Sequence, residues 1–335
     1  MKSVVIEQPG ELLLADRPLP TPAAGEVRVK VKYASICGSD VHIWHGHNPF
    51  AQYPRVIGHE FFGVIDAVGD EVDARRIGER VAVDPVVSCG RCYPCSVGRP
   101  NVCTTLSVIG VHRDGGFSEY AVAPAGNAYR LPETIPDQLA SLVEPFTIAA
   151  NITAFLKPQP QDVALIYGAG PMGLTAIQVL KGVYQVAQVL VVDRLPERLE
   201  LAKASGADRV FNNAGIPLAA QLEGVQPTLI IDAACHPAIL AEAAALASPA
   251  ARIGLLGFSG EPCSITQQSL TSKELSLFTS RLNSHRFPQV IEWMAQGLIQ
   301  PEKLVTHYFP LAEIERAMTL FEKDPRTCCK VVLAM

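Results

Sequence analysis

No apolar stretch in this sequence reaches membrane-spanning length without a Gly, a Pro or a charge inside it, which excludes a transmembrane helix. The first residues, Met1 to Glu7, lack an apolar segment followed by a small-residue cleavage site. No run of Lys or Arg occurs, and the formal net charge is −5. Both absences argue against a nucleic-acid surface. There is no internal repeat and no low-complexity tract. The nine cysteines are odd in number and unevenly clustered, so they fit reduced thiols and metal ligands better than a disulfide framework. The expected address is therefore the cytoplasm. What remains is an ordinary globular balance, 48% apolar and 18% charged, in 335 residues that suffice for two filled cores.

Four of the cysteines, Cys89, Cys92, Cys95 and Cys103, follow a C-x2-C-x2-C-x7-C spacing, with Ser88, Gly90, Pro94, Gly98 and Pro100 supplying bends. Four thiolates so placed can converge on one Zn²⁺, which takes four soft donors tetrahedrally. A closed shell of sulfurs leaves no open position, so such a site is structural. Disulfides would need an oxidising compartment, and iron–sulfur runs are spaced differently. A second set is more scattered: Cys37 in Ile36-Cys37-Gly38-Ser39-Asp40-Val41-His42, and His59-Glu60 before Phe61. Singly, these read as a small core thiol and a satisfied pair. Together, a thiolate, an imidazole and a carboxylate form a three-ligand site with a fourth position open, the arrangement of a catalytic zinc. Cys235, Cys263, Cys328 and Cys329 read as core or partly buried thiols.

The first 145 residues are β-rich, with period-two alternation over 27–33 and short strands at 63–68 and 80–83. Beyond Pro160 the texture becomes alternating. Strands are expected at 163–167, 189–193, 209–211, 229–232 and 253–256, with helices between them, which implies a parallel sheet with right-handed crossovers. A helix at 288–296 and a strand at 330–333 are expected to return to the first domain. Gly168-Ala169-Gly170-Pro171-Met172-Gly173 matches G-x-G-x-x-G, between a buried strand and a helix, with Asp193 twenty residues on. Gly168 permits the tight turn, Gly170 lets a pyrophosphate reach the backbone, and Gly173 lets helix pack on strand. Asp193 suits ribose hydroxyls and repels a 2′-phosphate, which favours NAD over NADP; Arg194 and Arg198 pull the other way by offering a phosphate two cations.

On these residues the chain resembles the zinc-containing medium-chain alcohol dehydrogenases from end to end. The likeness rests on Gly58-His59-Glu60 with Gly63, Gly69 and Val72, the four-cysteine lobe, Gly78-Glu79-Arg80-Val81 and the glycine fingerprint. Within that family it is similar to the polyol and threonine dehydrogenase branch. It is more similar to the group of bacterial starvation-sensing proteins and sugar-acid (gulonate or galactonate) 5-dehydrogenases, through 45–50, 143–151 and 280–283. The resemblance implies a GroES-like β-rich catalytic domain (1–145 and 285–335) and a doubly wound parallel-sheet Rossmann coenzyme domain (146–284). It implies two zinc ions per chain, one catalytic and one structural, and NAD as coenzyme. Cys37 and His59 would be zinc ligands, completed by Glu60 or by Glu144, with Asp40 holding the imidazole. Ser39 and His42 would relay the proton, and Arg281 would line the nicotinamide side. Asn151 departs from the histidine many members carry there.

The implied reaction is oxidation of a secondary alcohol of a sugar acid or polyol to a ketone, with hydride passing to NAD⁺. A hexonate carboxylate needs a cationic partner, for which Arg113, Arg281, His47 and His112 are candidates. Threonine or a neutral polyol is the alternative substrate, and a zinc- and NAD-binding starvation sensor without turnover is the alternative class. A homodimer or homotetramer is expected, with 275–279 a candidate edge for pairing.

Overall fold

The computed structural model describes residues 1–335. The chain divides into two compact units, Met1–Glu144 with Phe287–Ala295 and Val305–Met335, and Pro145–Arg286 with Gln296–Leu304. The return of Gln296–Leu304 to the second unit was not expected from the sequence. A reciprocal amide pair ties it there: Gln178 Nε2 donates to the Gln300 carbonyl at 3.1 Å, and the Gln300 N–H donates to Gln178 Oε1 at 2.7 Å.

The first unit is built on a seven-stranded sheet. Its main path runs Ala128–Arg130, Arg80–Val83, Glu60–Val68, Glu26–Ser35, Lys330–Ala334, Val305–Pro310, and Tyr120–Pro124 pairs with Glu26–Ser35. Val27, Val29 and Val31 point into the core, while Lys30 and Lys32 point to solvent, as a half-buried antiparallel strand requires. One register matters for function: Ser35 lies opposite Glu60 on one side and opposite Val332 on the other. Three chain segments therefore end together, bringing residues 35–37, 59–60 and 330 to one corner of the sheet.

The second unit carries six parallel strands in the order Arg209–Asn212, Gln188–Asp193, Val163–Tyr167, Leu229–Asp232, Arg252–Leu255, Ser276–Thr279. In chain order this is 3-2-1-4-5-6, that of the doubly wound dinucleotide-binding folds. Leu165, Leu190, Ile230 and Ile253 are fully buried at its centre. Helices cover both faces of such a sheet, so its strands read as apolar runs rather than alternating ones. Cys328 and Cys329 are buried as read from the sequence, whereas Cys235 and Cys263 are exposed, on loops following Asp232 and Leu255.

Candidate metal centres and coenzyme turn

Cys37 caps the short helix Gly38–Trp44, and the Asp40 carboxylate at the third helical position accepts its backbone N–H at 2.9 Å. The other Asp40 oxygen faces His59 Nδ1 at 3.5 Å. One buried carboxylate thus fixes both the helix start that carries the thiol and the orientation of the ring. With Nδ1 facing the Asp40 carboxylate, Nε2 is the nitrogen left for a metal. Ser39 Oγ stands 3.4 Å from that Nε2. The ligand atoms of Cys37, His59 and Glu60 all lie within 4.8 Å of one another.

Glu60 is also claimed elsewhere. Its carboxylate accepts a short hydrogen bond from Ser35 Oγ, and Lys330 Nζ donates to it at 2.6 Å and to the Ile36 carbonyl at 3.0 Å. Lys330 and Glu60 are each 1% exposed at their side chains, so this is a fully buried ion pair. Glu144 is buried beside them. Burial pushes its carboxyl up to about 8, with the Glu60 and Asp84 charges adding to the rise and His59 and Lys330 opposing it. Burial disfavours a charged His59, yet the Asp40 and Cys37 charges outweigh it and raise the imidazole well above its ordinary value. Cys37, Asp40, Glu60, Glu144 and Asp84 thus crowd one imidazole and one lysine. The Asp40 and Cys37 charges that hold a proton on the imidazole mark a site that suits a cation. The donor set, one thiol, one imidazole and one carboxylate, fits Zn²⁺ with a position to spare.

In the four-cysteine lobe, the ligand atoms of Cys89, Cys92, Cys95 and Cys103 again fall within 4.8 Å of one another. Cys92 Sγ is 3.4 Å from Cys95 Sγ and 3.6 Å from Cys103 Sγ. A tetrahedron with Zn–S of about 2.3 Å has edges of about 3.8 Å, so one cation fits and the thiols are too far apart for a disulfide. Crowding splits their titration. The backbone N–H groups of Thr104 and Cys95 hold the Cys92 thiol down to about 5, while burial and the neighbouring thiols push Cys95 up to about 11.

In the second unit, Gly168 directly follows the central strand Val163–Tyr167 with φ +90°, a left-handed turn that favours glycine. A Cβ on Gly173 would stand 1.9 Å from the Gly168 carbonyl oxygen, so the helix Pro171–Gln178 can approach only as glycine there. Gly170 caps this helix, with Pro171 and Met172 at its first turn, and Arg198 Nη1 would lie 2.8 Å from a Cβ at Gly170. Asp193 ends the neighbouring strand and is anchored twice, by the Ala169 N–H at 2.8 Å and the Leu195 N–H at 2.9 Å. A half-exposed carboxylate beside an open helix N-terminus suits an adenosine ribose and a pyrophosphate.

Residues 23–133 match the alcohol dehydrogenase GroES-like domain, and residues 171–296 match the zinc-binding dehydrogenase domain. Starvation-sensing protein RspB of Escherichia coli strain K12 is 64% identical, with 99% of each chain covered. L-galactonate-5-dehydrogenase of the same organism is 35% identical, over 97% of this chain and 95% of that one. A crystal structure of an rspB alcohol dehydrogenase from E. coli CFT073, complexed with NADH, superposes with a TM-score of 0.98 at 63% identity, covering 100% of this chain and 99% of that one. The chain belongs to the zinc-binding alcohol dehydrogenase family.

Within that dehydrogenase frame, the structure brings Cys37, Ser39, Asp40, His59 and Glu60 together, with Glu144 buried where it feels the His59 and Glu60 charges. His42 is exposed on the same short helix, and its ring centroid lies 6.3 Å from that of His47. Arg194 is exposed beyond Asp193. Arg281 lies past the end of the sixth strand, its guanidinium 5.6 Å from the centre of the Phe258 ring. Arg113 is engaged elsewhere, in a short ion pair with Glu26, and His112 Nδ1 accepts the Val108 N–H at 3.1 Å. Sequence reasoning missed Lys330 and Ser35. A lysine opening a short apolar C-terminal strand looks like a solvated flank, and only its pairing to Glu60 across 270 residues shows otherwise. No helix is long and apolar enough to cross a membrane.

Proposed function

We propose that this protein is a cytoplasmic zinc- and NAD-dependent dehydrogenase that oxidises a secondary alcohol of a sugar acid to the ketone. The observation that carries the reading is the convergence of Cys37, His59 and a carboxylate on one buried point, with Asp40 bracing both the thiol's helix and the ring. When bound, zinc polarises the substrate hydroxyl and NAD⁺ accepts the hydride. Cys37, His59 Nε2 and one glutamate would hold the metal. Glu60 carries the carboxylate within reach of the other two ligands, but Ser35 and Lys330 already engage it, so buried Glu144 would take its place as third ligand. Ser39 Oγ, beside His59 Nε2, takes the substrate proton, and exposed His42 on the same helix passes it to solvent. Gly168, Gly170, Pro171, Met172 and Gly173 receive the pyrophosphate, Asp193 the adenosine ribose, with Arg194 and Arg198 beside it, and Arg281 contributes from the last strand.

The sugar-acid assignment draws support from the galactonate dehydrogenase relative, and the threonine and sorbitol dehydrogenases among the relatives keep those substrates in the test. The Ser276–Thr279 strand has one unpaired edge and is mostly exposed, which favours a homo-oligomer that covers it. NADH formation at 340 nm across hexonates, polyols, threonine and simple alcohols tests the reading. Chelator-sensitive turnover on one hexonate supports it. Turnover confined to threonine or a polyol moves the substrate class. Silence on every substrate, with NADH bound and two zinc ions present, favours a sensor. The metal shell is tested separately: Glu144→Gln should lose the catalytic zinc, whereas Glu60→Gln should retain it.

A further inference from the structure

Asn151 is fully buried in the helix Val143–Leu156 and spends both ends of its amide on one loop. Its Nδ2 donates to Ser280 Oγ at 2.8 Å, and its Oδ1 accepts the Ser284 backbone N–H at 3.3 Å. The loop follows the strand Ser276–Thr279, which pairs in parallel with Arg252–Leu255, so it leaves the sheet at the same edge as the Gly168 turn. That edge, outside the carboxyl ends of the strands, is where dinucleotides bind in this topology. The loop also has an irregular course. Leu282 and His285 both adopt left-handed conformations, at φ 52° and 56°, without being glycine. Such residues persist only where their surroundings over-determine them. Asn283, also fully buried, contributes by accepting the Arg286 N–H at 3.2 Å. Between the two points gripped by Asn151 sits Arg281.

We propose that Asn151 is a positioning residue for coenzyme binding: its two hydrogen bonds lock the Ser280–Ser284 arch so that Arg281 is presented, preformed, to the dinucleotide. The inference rests on the coenzyme reading of the second unit. A loop held in its bound shape before the ligand arrives loses less freedom on binding, so the clamp acts on affinity rather than on the chemistry. Both amide hydrogen bonds go to the arch, so the expected route of the effect is through Arg281.

The test is a double-mutant cycle in the full-length zinc-loaded protein, with NADH affinity read from the fluorescence of the bound coenzyme. Asn151→Ala should weaken NADH about ten-fold, the worth of one to two hydrogen bonds. In an Arg281→Ala background the same substitution should change the affinity by less than about two-fold. Ser280→Ala cuts only one arm. It should cost about three-fold with the same dependence on Arg281, and it carries the test if Asn151→Ala fails to fold. A merely structural asparagine would lower the melting temperature and weaken NADH equally in both backgrounds, which overturns the proposal. Unchanged NADH affinity in both single variants overturns it too. Wild-type protein that does not bind NADH would instead sink the coenzyme reading, a failure distinct from that of the clamp.

Discussion

Replacing Lys330 with methionine removes the ammonium group that pairs with the buried Glu60 carboxylate. The two charged groups are 2.6 Å apart and each side chain is 1% exposed. At an effective dielectric of about 20, unit charges at that distance attract by about 6 kcal/mol. Desolvation of the two ions takes back several kcal/mol, so the intact pair contributes little net stability. Removing one partner is another matter, because the stranded carboxylate keeps its desolvation cost; the expected loss is about 3–5 kcal/mol. The Ile36 carbonyl also loses its donor. Glu60→Gln introduced beside Lys330→Met should recover at least half of the loss, since a neutral amide still accepts from Ser35 and needs no counter-charge. Urea unfolding followed by tryptophan fluorescence is well placed to measure this. Both tryptophans, Trp44 and Trp293, belong to the first unit, as do Lys330 and Glu60, so the signal reports that unit alone. With chelator present to exclude changes in metal affinity, a loss of about 4 kcal/mol lowers the midpoint by about 1–2 M. A loss below about 1 kcal/mol, or a double variant whose loss is the sum of the two singles, would refute the reasoning.

Three further outcomes follow from the same geometry. Asp40→Asn should weaken the catalytic zinc by about 10–100-fold while leaving the four-cysteine zinc in place, as metal titration against a competing chelator would read. Cys92→Ser should reduce zinc from two ions per chain to one by elemental analysis, with NADH affinity unchanged because the glycine turn lies in the other unit. Asp193→Ala should raise the preference for NADPH over NADH by at least about ten-fold in competitive binding, since it removes the carboxylate that repels a 2′-phosphate and leaves Arg194 and Arg198 nearby.

The four-cysteine lobe and the glycine turn could be read from the chain because each is local. Cys89 to Cys103 close short loops, and the steric demands on Gly168 and Gly173 arise within one strand–turn–helix. The alternation of strands and helices likewise exposed the coenzyme sheet, since buried parallel strands leave apolar runs of a length that helices do not share. Cys37 and His59 were visible as candidate ligands, yet their meeting depends on Ser35 facing Glu60, a register no spacing encodes. What tertiary structure alone decided is the state of the carboxylates and the grip on the coenzyme loop. Lys330 reaches Glu60 across 270 residues, and Asn151 reaches Ser280 across 129. A lysine and an asparagine are polar wherever they stand in a sequence. Whether each is solvated or buried with one partner is fixed only when sheet pairing and helix packing remove the water around it.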